Sequence, residues 1–501
     1  YFDSYHGIDI HTELVQWKID QPRITFGTIP NSSDNRAMFE SDFYFRAGRF
    51  DQLMALSMNH PMVMIKNCFE EKEVDVLTDR EVASCMHSSL TDAQVTLLNY
   101  TNLGLVKYNI KTGKVRSTDR LYHYVRAKSE KEDYDVIQIA SDIGTMENAS
   151  LDLVDEVFKL KMNGIRNITV SDSHQVVIYP KDGTITMKKD KDFDFSGVVR
   201  AGRLEYFGNN FEFLYNDFKM EMPNIDSIRL IVSTDQKTAG GKERLARVST
   251  VIEDVEGTLE IDHPKNKSGL EELEQYPIFT SHKKSYVYYD RSSIQNKAYH
   301  RDNFYFELDP FVFDSLDNFE NRRIDFEGRF VSADIFPEFR ESLTLQEDYS
   351  LGFIRNTPKD GFDVYRGKGE YHDTIKLSHD GLRGSGKLKY LTSTSKSDNF
   401  LFLPEEMKCI AQSLVIDEQM GQVEYPPATG KDIIENWHPY DDNMHLETDE
   451  NPFVMYDGSE LTGSLDLSPE ELQGAGLFAF DKAELESESF EYGQGLRALE
   501  T

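Results

Sequence analysis

Cysteine is nearly missing from this chain of 501 residues: Cys68, Cys85 and Cys409 are all there is. Three scattered thiols exclude a disulfide framework and a zinc site with local ligand spacing, and they allow one bridge at most. No apolar run reaches the roughly 18 residues that would make a transmembrane helix a candidate, so no helix is expected to span a bilayer. Positive charge is also short. The 55 Lys and Arg face 88 Asp and Glu, a formal net charge of −33, and so acidic a chain is repelled by polyphosphate and by anionic headgroups. Nucleic acid is therefore not an expected partner. The 13 His contain no HExxH pair and the chain has no phosphate loop of the GxxxxGK[ST] type, so neither a metal nor a cofactor is expected. The opening YFDSYHGIDI carries no initiator Met and no signal peptide, the expectation for a processed or truncated piece.

What the chain does have is aromatic residues and self-similarity. Its 32 Phe and 25 Tyr against 2 Trp favour strands over helical bundles. Residues 371–402 and 461–492 align without a gap, and Leu377, Ser378, Leu382, Gly384, Gly386, Ser397 and Phe400 fall on Leu467, Ser468, Leu472, Gly474, Gly476, Ser487 and Phe490. A fixed offset of this kind means duplicated supersecondary units. Each copy is expected to be a strand, a tight bend at Gly-x-Gly and further strands, with Leu382 and Leu472 buried. A weaker echo relates 190–204 to 322–336.

Five segments follow from the pattern. Residues 1–77 form an α/β N-terminal part, with Trp17, Ile19, Ile24 and Phe26 around a proline and a helix whose stripe is Phe50, Leu53, Met54 and Ser57. Residues 78–150 form a winged-helix-like module: Thr78 with Glu81 and Thr91 with Gln94 are capping boxes, Gly104 ends a helix, and Thr112-Gly113 turns a hairpin. Its cations Lys107, Lys111, Lys114, Arg116, Arg120, Arg126 and Lys128 face the lone Asp119, and a solvated strand pairing with acidic neighbours weighs more than a nucleic-acid wing. Residues 151–260 and 261–360 are β modules, with hairpin turns at Lys181-Asp182-Gly183 and Gly208-Asn209-Asn210 and loops near 236–247 and 262–271. Residues 361–501 hold the duplicated modules, separated by a long acidic excursion at 417–457. The fold class is mainly β with a smaller N-terminal α/β part, built as tandem antiparallel modules in an extended or solenoid-like sheet.

Candidate chemistry is sparse. Asp190, Asp192 and Asp194 lack the glycine and closing glutamate of a calcium loop, and alternation sends all three to one solvated strand face. Ser378 and Ser468 have no positioned His and Asp, so no catalytic residue is assigned. The one cluster that looks like a binding site is Trp437, His438, Tyr440, Asp441 and Asp442. Rings beside carboxylates hold sugars, the face stacking and the oxygens accepting from hydroxyls. The same residues also pin a long loop to a sheet, and that structural reading carries more weight.

The string LSxxxLxGxGxLxY at 377–390, with acidic strands restarting every few dozen residues over 190–501, resembles the long repetitive β-rich envelope proteins of Gram-negative bacteria and is loosely similar to the AsmA/TamB-like family. The resemblance implies a periplasmic or outer-membrane-associated protein of extended β-sheets. The expectation is a non-enzymatic envelope scaffold with a protein partner. The alternatives are a carbohydrate-binding or carbohydrate-active protein using acids near 437–442, and lipid transfer.

Overall fold

The structure, a computed structural model, describes residues 1–29, 36–54, 59–143, 147–154, 158–237, 240–241, 243–456, 458–480, 482–492 and 496–498. Strand makes up 51% and helix 13%, so the chain is mainly β with a small helical part. The chain divides into two compact units, each drawn from separated stretches of sequence.

The first unit comprises Tyr1–Asp226, Glu256–His282 and Val312–Phe319. Its N-terminal sheet orders Phe2–Asp3, Ile8–His11, Arg36–Ser41 and Gln138–Asp142 side by side. Alternation turns Ile8, Ile10 and Phe39 into its core. Leu14–Trp17 and Arg23–Gly27 make a hairpin with Pro22 in its turn, Phe26 buried and Trp17 exposed. The described helices are α1 (Ala47–Gln52), α2 (Pro61–Lys72), α3 (Asp79–Cys85), α4 (Leu90–Asn102) and α5 (Asp119–Lys128). In α1 Phe50 is buried, Met54 lies beyond the helix and exposed, and Ser57 falls outside the described residues.

From α2 onward the order is helix, strand Val76–Thr78, helix, helix, then strands Val106–Asn109 and Lys114–Ser117, with the last strand central in the three-stranded sheet. This is winged-helix order, and it starts at 61 rather than 78. Pro61 at the first helical turn and the His60 ring accepting from the Met62 N–H open α2. Thr78 and Glu81 close the reciprocal capping box of α3. The second box is a correction: the cap of α4 is Ser89, accepting from the Asp92 N–H, two residues before Thr91. Gly104, at φ +70°, ends α4, with Leu105 N–H reaching Tyr100 O at 2.9 Å. Cys68 and Cys85 are bridged, tying α2 to α3, and Cys409 is free and buried.

Several expected turns are bulges. Val176–Met187 is one strand through Asp182 and Gly183, its register shifting between Pro180 and Ile185, and Leu204–Leu214 runs through Asn209 and Asn210. Left-handed residues that look like a hairpin turn are absorbed as extra residues in a continuing strand. The three aspartates do not share a strand face: Asp190 sits in a 3-10 turn at φ 58°, Asp192 accepts from the Tyr215 N–H, and Asp194, on the strand Phe193–Ala201, pairs with Lys188 at 2.6 Å.

The second unit comprises Ser227–Val255, Lys283–Phe311 and Glu320–Thr501. The expected loop at 236–247 contains a strand, Glu243–Arg247, paired back onto Ile231–Lys237. Ser285–Tyr288, Phe304–Leu308, Asp325–Ser332, Phe339–Leu345, Leu351–Asn356, Gly369–Ser378, Gly381–Tyr390 and Ser393–Phe402 each pair antiparallel with the next.

The two copies share a register. Leu377 opposes Leu382 and Leu467 opposes Leu472, all buried. Gly384 opposes Phe400 and Gly386 opposes Ser397 across a bulge; Gly474 opposes Phe490 and Gly476 opposes Ser487 across the same one. Gly-x-Gly is therefore a bulge within a strand, not a bend between strands. The turns lie earlier, where Ser378 accepts from the Asp380 N–H and Ser468 from the Glu471 N–H. The expected acidic excursion is also sheet: Ala428–Gly430, Ile433–His438, Asn443–Glu447 and Phe453–Met455 are all paired strands. Charged residues in this stretch hid an alternation that buries Ile433, Glu435 and Trp437.

Candidate functional site

The strand Ile433–His438 sends alternate side chains to opposite faces, which separates the residues of the candidate cluster. Trp437 points inward and is fully buried, its ring 4.9 Å from Tyr390 and 5.2 Å from Tyr365. Gly369 leaves space for the indole, since a Cβ there would lie 2.7 Å from the ring. Trp437 is a core residue and cannot stack a ligand. His438, half-buried, faces the other way.

Pro439 then opens a single 3-10 turn, Asp442 takes a left-handed φ of 52°, and the chain returns as Asn443–Glu447 with His438 opposite Asn443. Tyr440 and Asp441 stand at the tip, Tyr440 43% exposed. The Tyr440 ring meets Tyr365 edge-on at 6.1 Å, and burial of its inner side raises its phenol pKa. Tyr365 is anchored through its hydroxyl, which donates to Leu403 O at 2.9 Å. Asp442 is held by Lys368 at 2.7 Å and so is a structural member of the turn.

His438, Tyr440 and Asp441 line a groove of about 580 Å³ together with Asn303, Asp334, Arg366 and Glu405. Arg366 binds Asp334 through Nη2 at 2.6 Å and Nε at 3.0 Å. Asp441 and Glu405 are exposed and take part in no ion pair among the described residues. Turns in left-handed conformation supply part of this rim: Ala333 at φ 54°, Asp334 at 61° and Arg366 at 59°. Non-glycine residues pay a steric cost there, and such residues gather at ligand sites. Asp334, Arg366 and Glu405 were missed in the sequence because each comes from a different turn. The available signal was Ala333-Asp334, which occupies the turn position of Gly202-Arg203 in the weaker echo.

Two other titratable clusters lie away from the groove. Glu435, on the inward face beside Trp437, is fully buried, and neither carboxyl oxygen has a hydrogen-bond partner. Burial pushes its carboxyl up to about 7. In the first unit the His174 ring lies between Asp317 at 2.9 Å and Asp262 at 3.1 Å. Burial opposes its charge, but the two carboxylates outweigh burial and raise its pKa. With both ring nitrogens engaged, His174 cannot serve the nearby Ser171 as a base. No group of three or more His, Cys, Asp or Glu is placed to hold a metal among the described residues. The described residues also contain no helix long and apolar enough to cross a membrane. A scan of protein-family models and searches of curated proteins and solved structures found no match.

Proposed function

We propose that this chain is a non-catalytic interaction protein of the cell envelope whose Tyr440 groove binds a polar, hydroxyl-rich ligand of the glycan class. The observation that carries the reading is the tip itself: an exposed Tyr440 ring beside Asp441 and Glu405, two carboxylates that join no ion pair among the described residues. A ring face packs on the apolar face of a sugar while carboxylates accept from its hydroxyls. Binding without cleavage is favoured because glycoside hydrolysis needs a carboxyl of raised pKa at the scissile bond. The buried acid of this region, Glu435, faces the core on the side opposite His438. The Cys68–Cys85 bridge supports an oxidising compartment such as the periplasm.

Glycan-array binding followed by calorimetry tests this. Tyr440→Ala should weaken binding about tenfold or more, the size of a lost aromatic anchor, and Asp441→Asn should weaken it less. Binding unaffected by Tyr440→Ala, or binding only to lipid vesicles, would replace the reading. Release of reducing sugar that Asp441→Asn abolishes would make the protein an enzyme.

A further inference from the structure

The hairpin of Leu14–Trp17 and Arg23–Gly27 carries apolar side chains out past the end of the core. Phe26 is directly opposed to Ala149, Ile24 to Leu151, and Trp17 to Ile24, so all five stand on one sheet face. Along that face the cover fails toward the turn. Phe26 and Ala149 are buried, Ile24 and Leu151 are half-buried, and Trp17 is 57% exposed. Two residues on, Ile19 is 89% exposed, more than any other large apolar residue among the described ones. Beside the turn the Leu153 N–H donates to Pro22 O at 2.8 Å, and the next residue, Val154, is 67% exposed.

The turn itself has no use for these side chains. It is closed through backbone, the Gln21 N–H donating to Lys18 O at 2.8 Å. Turn positions favour Gly, Asn, Asp and Ser, which adopt the conformation or bond to the backbone. An isoleucine there does neither, and an exposed one strengthens no core. The charges around it cancel: Lys18 and Asp20 flank Ile19 in sequence, and Arg23 pairs with Glu147 at 2.6 Å. An indole and two branched aliphatic side chains are thus presented at the end of a hairpin with no net local charge.

Area and charge select what covers them. A stable protein interface takes about 800 Å² from each partner, which the turn between Trp17 and Arg23 does not supply. A bilayer needs neither that area nor a matching shape. Tryptophan settles at headgroup level with its ring toward the acyl chains and its N–H toward water, and aliphatic neighbours enter the hydrocarbon. Lysine beside them lays its stem along the apolar surface and keeps its ammonium among the headgroups. The chain's net charge of −33 repels an anionic surface, which leaves a surface of zwitterionic headgroups. We infer that the tip carrying Trp17, Ile19 and Val154 inserts into the interface of a bilayer of zwitterionic phospholipid and holds the first unit there as a peripheral contact.

The two tryptophans make the test direct, since Trp437 is fully buried and Trp17 is not. The full chain is mixed with phosphatidylcholine vesicles, and Trp emission is followed with and without bromine on the acyl chains. A blue shift and quenching by bromine are expected. Both should vanish in Trp17→Phe, while that variant still sediments with the vesicles because phenylalanine also inserts. Ile19→Ser/Val154→Ser should weaken vesicle binding about tenfold, the factor that removing one large apolar side chain from a buried site carries. Mixing phosphatidylserine into the vesicles should weaken binding by the whole chain. All three residues are exposed, and an unchanged thermal melt verifies that the variants fold. No emission change with vesicles, a change that survives Trp17→Phe, equal binding by Ile19→Ser/Val154→Ser, or tighter binding to vesicles containing phosphatidylserine overturns the inference. So does a dimer in lipid-free sedimentation that Ile19→Ser/Val154→Ser dissociates, which would make a second copy the occupant.

Discussion

The two copies at 371–402 and 461–492 superimpose in register but close their glycine bulges from opposite sides. Above Gly384 the space for a Cβ is taken by the hydroxyl end of Tyr371, from the preceding strand; above Gly474 it is taken by Tyr492, from the following one. The physical requirement is an aromatic cover over bare backbone, and either neighbour meets it. At position 373 and its counterpart 463 the backbone φ is positive in both copies, 84° for Asp373 and 150° for Gly463. Copy two assigns the position to the residue without a side chain.

The third strands diverge further. Ser393, Ser395 and Ser397 are buried, because Ser393–Phe402 is flanked on its other edge by Met407–Ala411 and Ser413–Ile416. Their counterparts Ala483, Leu485 and Ser487 are not buried, since Ala483–Tyr492 meets a further described strand only from Phe490 on. One sequence pattern thus serves as interior and as boundary, according to what flanks it.

The largest expected effect tests the shared bulge. A Cβ at Gly386 would collide with the His372 carbonyl, and one at Gly476 with the Thr462 carbonyl. Gly386→Val and Gly476→Val should each cost about 4 kcal/mol, as overpacking onto rigid backbone does, measured by denaturant unfolding. If one is tolerated, the copies are not equivalent in strain.

The next effect belongs to the core behind copy one alone. The folded-state pKa of Glu435 lies near 7 against 4.5 for the ordinary carboxyl, so the folded protein holds the proton longer. Stability therefore falls as pH rises between those values, by roughly 3 kcal/mol, and is flat above. Glu435→Gln should remove this slope. His174 also has a raised pKa, so its contribution is complete below about 6.5 and is lost as pH climbs through the folded value, with His174→Gln flattening that higher window. A slope that survives both substitutions points elsewhere. The smallest effect is Asp373→Gly, expected to stabilise by about 0.5 kcal/mol by relieving the positive φ. A loss of stability would show that the Asp373 side chain contributes to the turn.

Much of the fold was legible because its determinants are local. The capping box at Thr78, the helix end at Gly104 and the Thr112-Gly113 turn each depend on side chains within a few residues of the backbone they satisfy. The α2 start at Pro61 was overlooked although its signal is equally local. The strands at 428–455 were missed because Glu435 occupies a core position, where a carboxyl is not expected.

By itself the sequence determined that this is an acidic, mainly β chain, that two segments share one hairpin register, and that the histidine spacing includes no HExxH pair. Those properties depend on composition and on a period of two, which any window reveals. The tertiary structure decided which face each residue takes and which distant turns meet. Trp437 lies on the inward face of the strand Ile433–His438, while the 3-10 turn Pro439–Asp441 carries Tyr440 to solvent. Asp334, Arg366, Glu405 and Asp441 converge on one groove only because strands far apart in sequence end at neighbouring turns.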